Sequence, residues 1–292
     1  MNIRWYYLIG LAILLYGCEK AIDFKLEESE PKIVIDATIE NNQPPIVVLS
    51  KSLNYFSKIS PSILANSFVH DAEVYISDNA STYKLKEYTV PGAAGYNLYY
   101  YSTDPSTSMF VGKLNTNYTL RILFEGKEYT ASTTIPNITK RIDSMWWKPT
   151  PTQDTSRGMV MVKATDPPGF GDYVQYFTKR NSERFLPGFQ SVYDDLVIDG
   201  TTYELEVDPG LDRNIDSYEN DKRFFKRGDT VTLKLSNIDK ATYDFWRTME
   251  YTYSSVGNPF SSPVKVLNNI SNGGLGYFGG YASQYRTVII PK

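Results

Sequence analysis

The chain has 292 residues, 22% of them charged, and a formal net charge of −3. That balance lacks the basic footprint of a nucleic-acid binder, and the length is ample for more than one hydrophobic core. Aromatic residues reach 14%, with 24 tyrosines, an excess that suits half-buried strands or a binding surface.

Met1-Asn2-Ile3-Arg4 carries one positive charge, and an apolar and aromatic run extends from Trp5 to Tyr16. A basic tip, a short apolar core and a small residue follow in the order of a secretory signal. As a helix, at about 1.5 Å per residue, the run would rise about 18 Å. A hydrocarbon core is about 30 Å thick, so this is not a spanning helix. It ends in Leu15-Tyr16-Gly17-Cys18, which resembles the lipobox of bacterial lipoproteins. The resemblance implies that residues 1–17 are a signal peptide cut before Cys18. The thiol then receives diacylglycerol, and the new amine an acyl chain such as palmitate. Cys18 is the only cysteine, so the chain has no internal disulfide and no cysteine-based metal site. Residues 18–31 read as the lipidated cysteine and a polar tether. The acidic residues after Cys18 loosely resemble the surface-export signals of Bacteroidota lipoproteins; a solvated linker is the alternative.

Beyond the tether, Lys32–Ile39 reads as a strand, β-branched and free of breakers. Asn41–Pro45 is a turn and Ile46–Ser50 the return strand. Ala72–Ser77, Thr82–Tyr88 and Tyr96–Tyr101 are further strands. Tyr118–Phe124 and Lys127–Thr134 form a hairpin about Glu125-Gly126. Short strands at this spacing predict an immunoglobulin-like β-sandwich over 32–138. A second β-rich domain is expected over 139–292. Its strands are Met159–Ala164, Tyr173–Lys179, Thr201–Val207, Asp229–Leu235 and Thr287–Ile290. One amphipathic helix is predicted near 237–253: Ser236 and Asp239 stand as in a capping box, and Ile238, Ala241, Phe245, Trp246 and Met249 recur at helical spacing. The fold class is mainly β.

Several stretches resemble an uncharacterised family of Bacteroidota outer-membrane lipoproteins, known as a domain of unknown function. They are Cys18-Glu19-Lys20 with Ile22-Asp23, Ile33–Ala37 before Pro44-Pro45, Val47–Ser50 leading to Tyr55-Phe56, Asp71–Val74, and Asp166-Pro167-Pro168-Gly169 with Tyr173. Most distinctive are Gly257–Pro263, Asn268-Asn269-Ile270 and Gly273–Gly280. The resemblance implies a lipid-anchored protein of the outer membrane, surface-exposed if its export signal is read, and often encoded beside TonB-dependent transporters. It carries no activity.

No catalytic motif stands out. His70 is the only histidine; no nucleophile elbow accompanies it, and a zinc site would have to be completed by carboxylates. Calcium is the metal this sequence admits. Asp212, Asn214 and Asp216 offer oxygen ligands at alternate positions, although Ser217 stands where an EF-hand needs glycine and Arg223 where it needs glutamate. Asp194, Asp195 and Asp199 form another acidic group. The glycines of 273–280 permit positive φ and close backbone approach. With Tyr277, Phe278, Tyr281 and Tyr285 they read either as a packing corner or as a shaped loop that docks a partner through Asn258, Phe260, Tyr277, Phe278 and Tyr281.

These features predict a non-enzymatic lipoprotein with no cofactor beyond its acyl lipid, an accessory of a TonB-dependent transporter in nutrient uptake. The alternative is a free-standing surface protein for glycan binding or adhesion, with Tyr100, Tyr101, Tyr251 and Tyr253 available to stack on sugars. A peptide ligand is also compatible; nucleic acid is not.

Overall fold

The computed structural model describes residues 30–53, 60–92, 96–106, 110–150, 156–212, 224–256, 258, 260–262 and 264–292. Cys18 and the expected signal peptide, residues 1–17, lie outside them. In chain order the elements are β1 (Ile33–Glu40), β2 (Ile46–Lys51), α1 (Pro61–Ser67), β3 (Glu73–Ser77), β4 (Thr82–Lys84), β5 (Lys86–Pro91), β6 (Asn97–Ser102), β7 (Thr116–Phe124), β8 (Lys127–Ile135), β9 (Arg141–Pro149), β10 (Arg157–Thr165), β11 (Tyr173–Arg180), β12 (Leu186–Tyr193), β13 (Thr202–Val207), β14 (Phe225–Lys226), β15 (Thr230–Ile238), α2 (Lys240–Ser255) and β16 (Leu275–Ile289).

The strands follow the alternation of their residues. Ile33, Ile35, Ala37 and Ile39 of β1 are buried, and the residues between them face the other side. In the β7–β8 hairpin, Glu125 and Gly126 both take positive φ, the geometry that lets a two-residue turn match the twist of its strands.

Three sheets result. The largest has eight strands in the order β12-β11-β15-β16-β1-β2-β6-β5. A four-stranded sheet, β4-β3-β7-β8, packs on its N-terminal half around a core containing Val47, Leu49, Ile76, Leu120 and Phe278. A second, with β10 joined to β9, β13 and β14, packs on the other half around Val160, Leu233 and Ile290. Helix α2 covers the opposite face of the large sheet with Tyr243 and Phe245. The fold is mainly β and sandwich-like.

Residues 31–292 form one compact unit, which corrects the expected division after residue 138. Strand β16 pairs in parallel with β1 from Val34↔Leu275 to Glu40↔Tyr281, and antiparallel with β15 from Ile238↔Tyr281 to Thr230↔Ile289. The last strand thus completes the sheet begun by the first, and its Phe278 and Ala282 enter the core of the N-terminal block.

From Leu275 onward the glycine-rich stretch is therefore strand, and only Gly273 and Gly274 lie in the turn before it. Gly276 has φ of 100°, and a side chain there would strike the Ile35 carbonyl of β1. At Gly280 the obstacle would be the Thr134 carbonyl of β8. Glycine lets β16 lie this close to both neighbours. The helix also starts later than predicted. Its N-cap is Asp239, whose side chain accepts from Thr242 N, while Ser236 stays in β15 bonded to Ser283. Asp239 Oδ2 additionally accepts from Thr133 Oγ1 and Thr134 N, tying α2 to β8.

Phe278 is fully buried. Phe278→Ala is expected to lower the unfolding free energy by about 3–5 kcal/mol, read by chemical denaturation; a surface residue would show almost no change.

Candidate functional site

The sequence-predicted site residues fall in very different places. Tyr277, Phe278 and Tyr281 are buried, which agrees with the packing alternative and corrects their expected role on a docking surface. Tyr277 stacks on Phe245 of α2 with ring centroids 4.4 Å apart, and its hydroxyl lies 3.2 Å from that of Tyr281. Trp246 Nε1 donates to Tyr281 Oη. These side chains are the joint between helix and sheet. Asn258 and Phe260 remain outside; Asn258 Oδ1 accepts from Phe260 N, and the Phe260 ring is 94% exposed. Asp212 accepts from Arg184 at 2.6 Å; Asn214 and Asp216 lie outside the described residues. His70 Nδ1 is 2.6 Å from Glu87 Oε1, and its ring meets Tyr99 edge-on. Of the tyrosines named for sugar stacking, Tyr101 is buried and Tyr100 stacks on Tyr88, whereas Tyr251 and Tyr253 are exposed.

The chemistry concentrates elsewhere, where the chain passes twice between layers. Strand β10 belongs to a four-stranded sheet and β11 to the large sheet; β12 and β13 make the same crossing in reverse. The two crossovers, 166–172 and 194–201, lie side by side. Pro167-Pro168 and two glycines at positive φ, Gly169 and Gly171, turn the first. In the second, Ile198 N and Asp199 N both donate to the Asp195 carbonyl.

Carboxylates latch the turns together. Asp195 Oδ2 accepts from Gly171 N and Asp172 N at 2.7 and 2.9 Å, and Asp199 Oδ1 accepts from Gly169 N at 2.6 Å. Asp166 N donates to the Thr201 carbonyl. Helix α2 joins in through Tyr243 Oη, which donates to Asp194 Oδ2 at 2.8 Å. Burial first, and then the Asp194 carboxylate, push the Tyr243 phenol up to about 12.

As a result Asp166, Asp195 and Asp199 each bring an oxygen within 4.8 Å of the others. Lys140 approaches from the β8–β9 connection, its Nζ 3.7 Å from Asp166 Oδ1, and both side chains are fully buried. Gln284 of β16 fixes that connection: its Nε2 donates to the Lys140 carbonyl and its Oε1 accepts from Ile142 N. Burial pushes the Asp166 carboxyl above the usual carboxylate range; Lys140 opposes the rise, and Asp172, Asp195 and Asp199 add to it. Above the cluster the same turns hold Phe170, Leu196 and Val197 in solvent, with 73%, 71% and 92% of their surface exposed. In the sequence Asp195 and Asp199 stand in one acidic group with Asp194, and Asp166 in a turn, but nothing in their spacing joins them, and Lys140 carries no signal.

Asp195→Ala leaves two backbone N–H groups without their acceptor. The expected loss is about 1–3 kcal/mol, with faster amide exchange at Gly171 and Asp172. Unchanged exchange there would remove Asp195 as the latch.

The chain matches, over residues 19–287, the family described as a domain of unknown function (DUF4249), and it belongs to that family. No curated protein matches it.

Proposed function

We propose that this family member is an envelope lipoprotein of the Bacteroidota outer-membrane kind, cut before Cys18, acylated there, and serving as a binding accessory to a TonB-dependent transporter in nutrient uptake. The observation that carries the anchoring is the position of the sole cysteine, directly after the apolar run Trp5–Tyr16 and Gly17. Each buried methylene of an acyl chain contributes about 0.8 kcal/mol, so two or three chains give stable attachment where one gives only marginal binding. No helix among the described residues is long and apolar enough to cross a membrane.

The reading as a binder rather than an enzyme rests on the sequence, in which no catalytic motif stands out. The transporter as partner comes from the family resemblance. A free-standing glycan-binding or adhesion lipoprotein is the second reading, favoured by the exposed rings of Tyr251 and Tyr253 on α2, since aromatic faces stack on sugars.

Cys18→Ala is expected to abolish incorporation of labelled palmitate in the native host and to leave the precursor uncut; label retained in the variant contradicts the anchor. Purification of the tagged native protein in mild detergent is expected to bring an outer-membrane transporter in near-stoichiometric amount. A protein recovered alone, with saturable glycan binding, transfers the assignment to the second reading.

A further inference from the structure

We propose that the carboxylates of Asp166, Asp195 and Asp199 hold one divalent cation, calcium, between the two crossovers. Acidic groups in open loops are solvated by water and need no ion. This group is different: Asp166 and Asp195 are 1% and 2% exposed. Both carboxylate oxygens of Asp166 are buried with no hydrogen-bond partner, and so is the Lys140 ammonium beside them. An unsatisfied buried charge costs several kcal/mol, and folded proteins ordinarily pair it or give it a metal.

Lys140 does not complete the pairing. At 3.7 Å its nitrogen is beyond hydrogen-bond reach of Asp166, and it brings one positive charge against three carboxylates. The two negative charges left over match a divalent ion. The geometry agrees as well. Calcium binds oxygens at about 2.3–2.6 Å, so oxygens around one ion stand up to about 5 Å apart, and these three lie within 4.8 Å of one another. Asp195 and Asp199 each give one oxygen to backbone donors of the first turn, which leaves each a second oxygen for the ion. The donors are all hard oxygens, with neither imidazole nor thiolate among them, and this favours calcium over zinc or copper. Backbone carbonyls and water would fill the remaining positions. Bound there, the ion ties both layer crossings together and steadies the turns that carry Phe170, Leu196 and Val197.

The test uses the full-length protein in detergent, stripped with chelator and dialysed against radioactive calcium. One calcium per chain is expected to bind at or below about 1 mM, the range of extracellular calcium modules. The thermal midpoint should rise with calcium and fall back on adding EGTA. Asp199→Asn keeps the acceptor for Gly169 N but removes a charge, and should weaken binding by about tenfold or more; Asp212→Asn should leave it unchanged. Circular dichroism of the calcium-free proteins checks that each variant is folded. Folded wild-type protein that binds no stoichiometric calcium at about 1 mM, or a folded Asp199→Asn that binds as tightly as wild type, overturns the proposal. The wild-type titration stands without any variant.

Discussion

The staggered pairing of β16 holds this protein together. Its first half pairs in parallel with β1 and its second half antiparallel with β15, the two ladders meeting at Tyr281. At about 3.3 Å per residue, 15 residues span about 50 Å, enough to run past both four-stranded sheets. Parallel pairs persist where both faces are covered, and β16 meets that condition. Phe278 and Ala282 point into one sandwich core, while Tyr277 and Tyr281 point under α2. The glycines at 276 and 280 are what let the strand approach β1 and β8 so closely.

Much of the fold was legible because it is local. The hairpin about Glu125-Gly126, the alternating strand β1 and the amphipathic α2 all announce themselves within ten or so residues. What sequence reading missed depends on distant partners. Glycines ordinarily break strands, so Gly273–Gly280 reads as a packing corner or a loop, and only the Ile35 and Thr134 carbonyls explain why glycine is required at 276 and 280 within a strand. Tyr277, Phe278 and Tyr281 looked available to a partner for the same reason: their apolar character is visible in sequence, but not what covers them. The acidic site is the extreme case. Asp166 and Asp195 are brought together by two crossovers, and the burial of Asp166 beside Lys140 depends on strands far apart in the chain.

Fold and site share one logic. A sheet that spans both halves forces the chain to cross between layers, and two of those crossings fall together. Backbone amides at Gly169, Gly171 and Asp172 need acceptors there, which Asp195 and Asp199 supply. Gathering carboxylates to satisfy those amides builds an acidic cluster that includes the buried Asp166. The proposed tether at Cys18 would hold this body at a membrane, with the acidic turns and the exposed Phe260 and Tyr251 on its surface.

Strand β16 couples the N-terminal and C-terminal blocks into one cooperative body, and native-state hydrogen exchange under increasing denaturant measures that coupling. Amides of Leu120 and Ile122 in β7, and of Val231 and Leu233 in β15, are expected to converge on one global unfolding free energy. Separate limits for the two pairs, with the 32–138 block opening while β15 stays protected, would contradict the account and restore two independent domains.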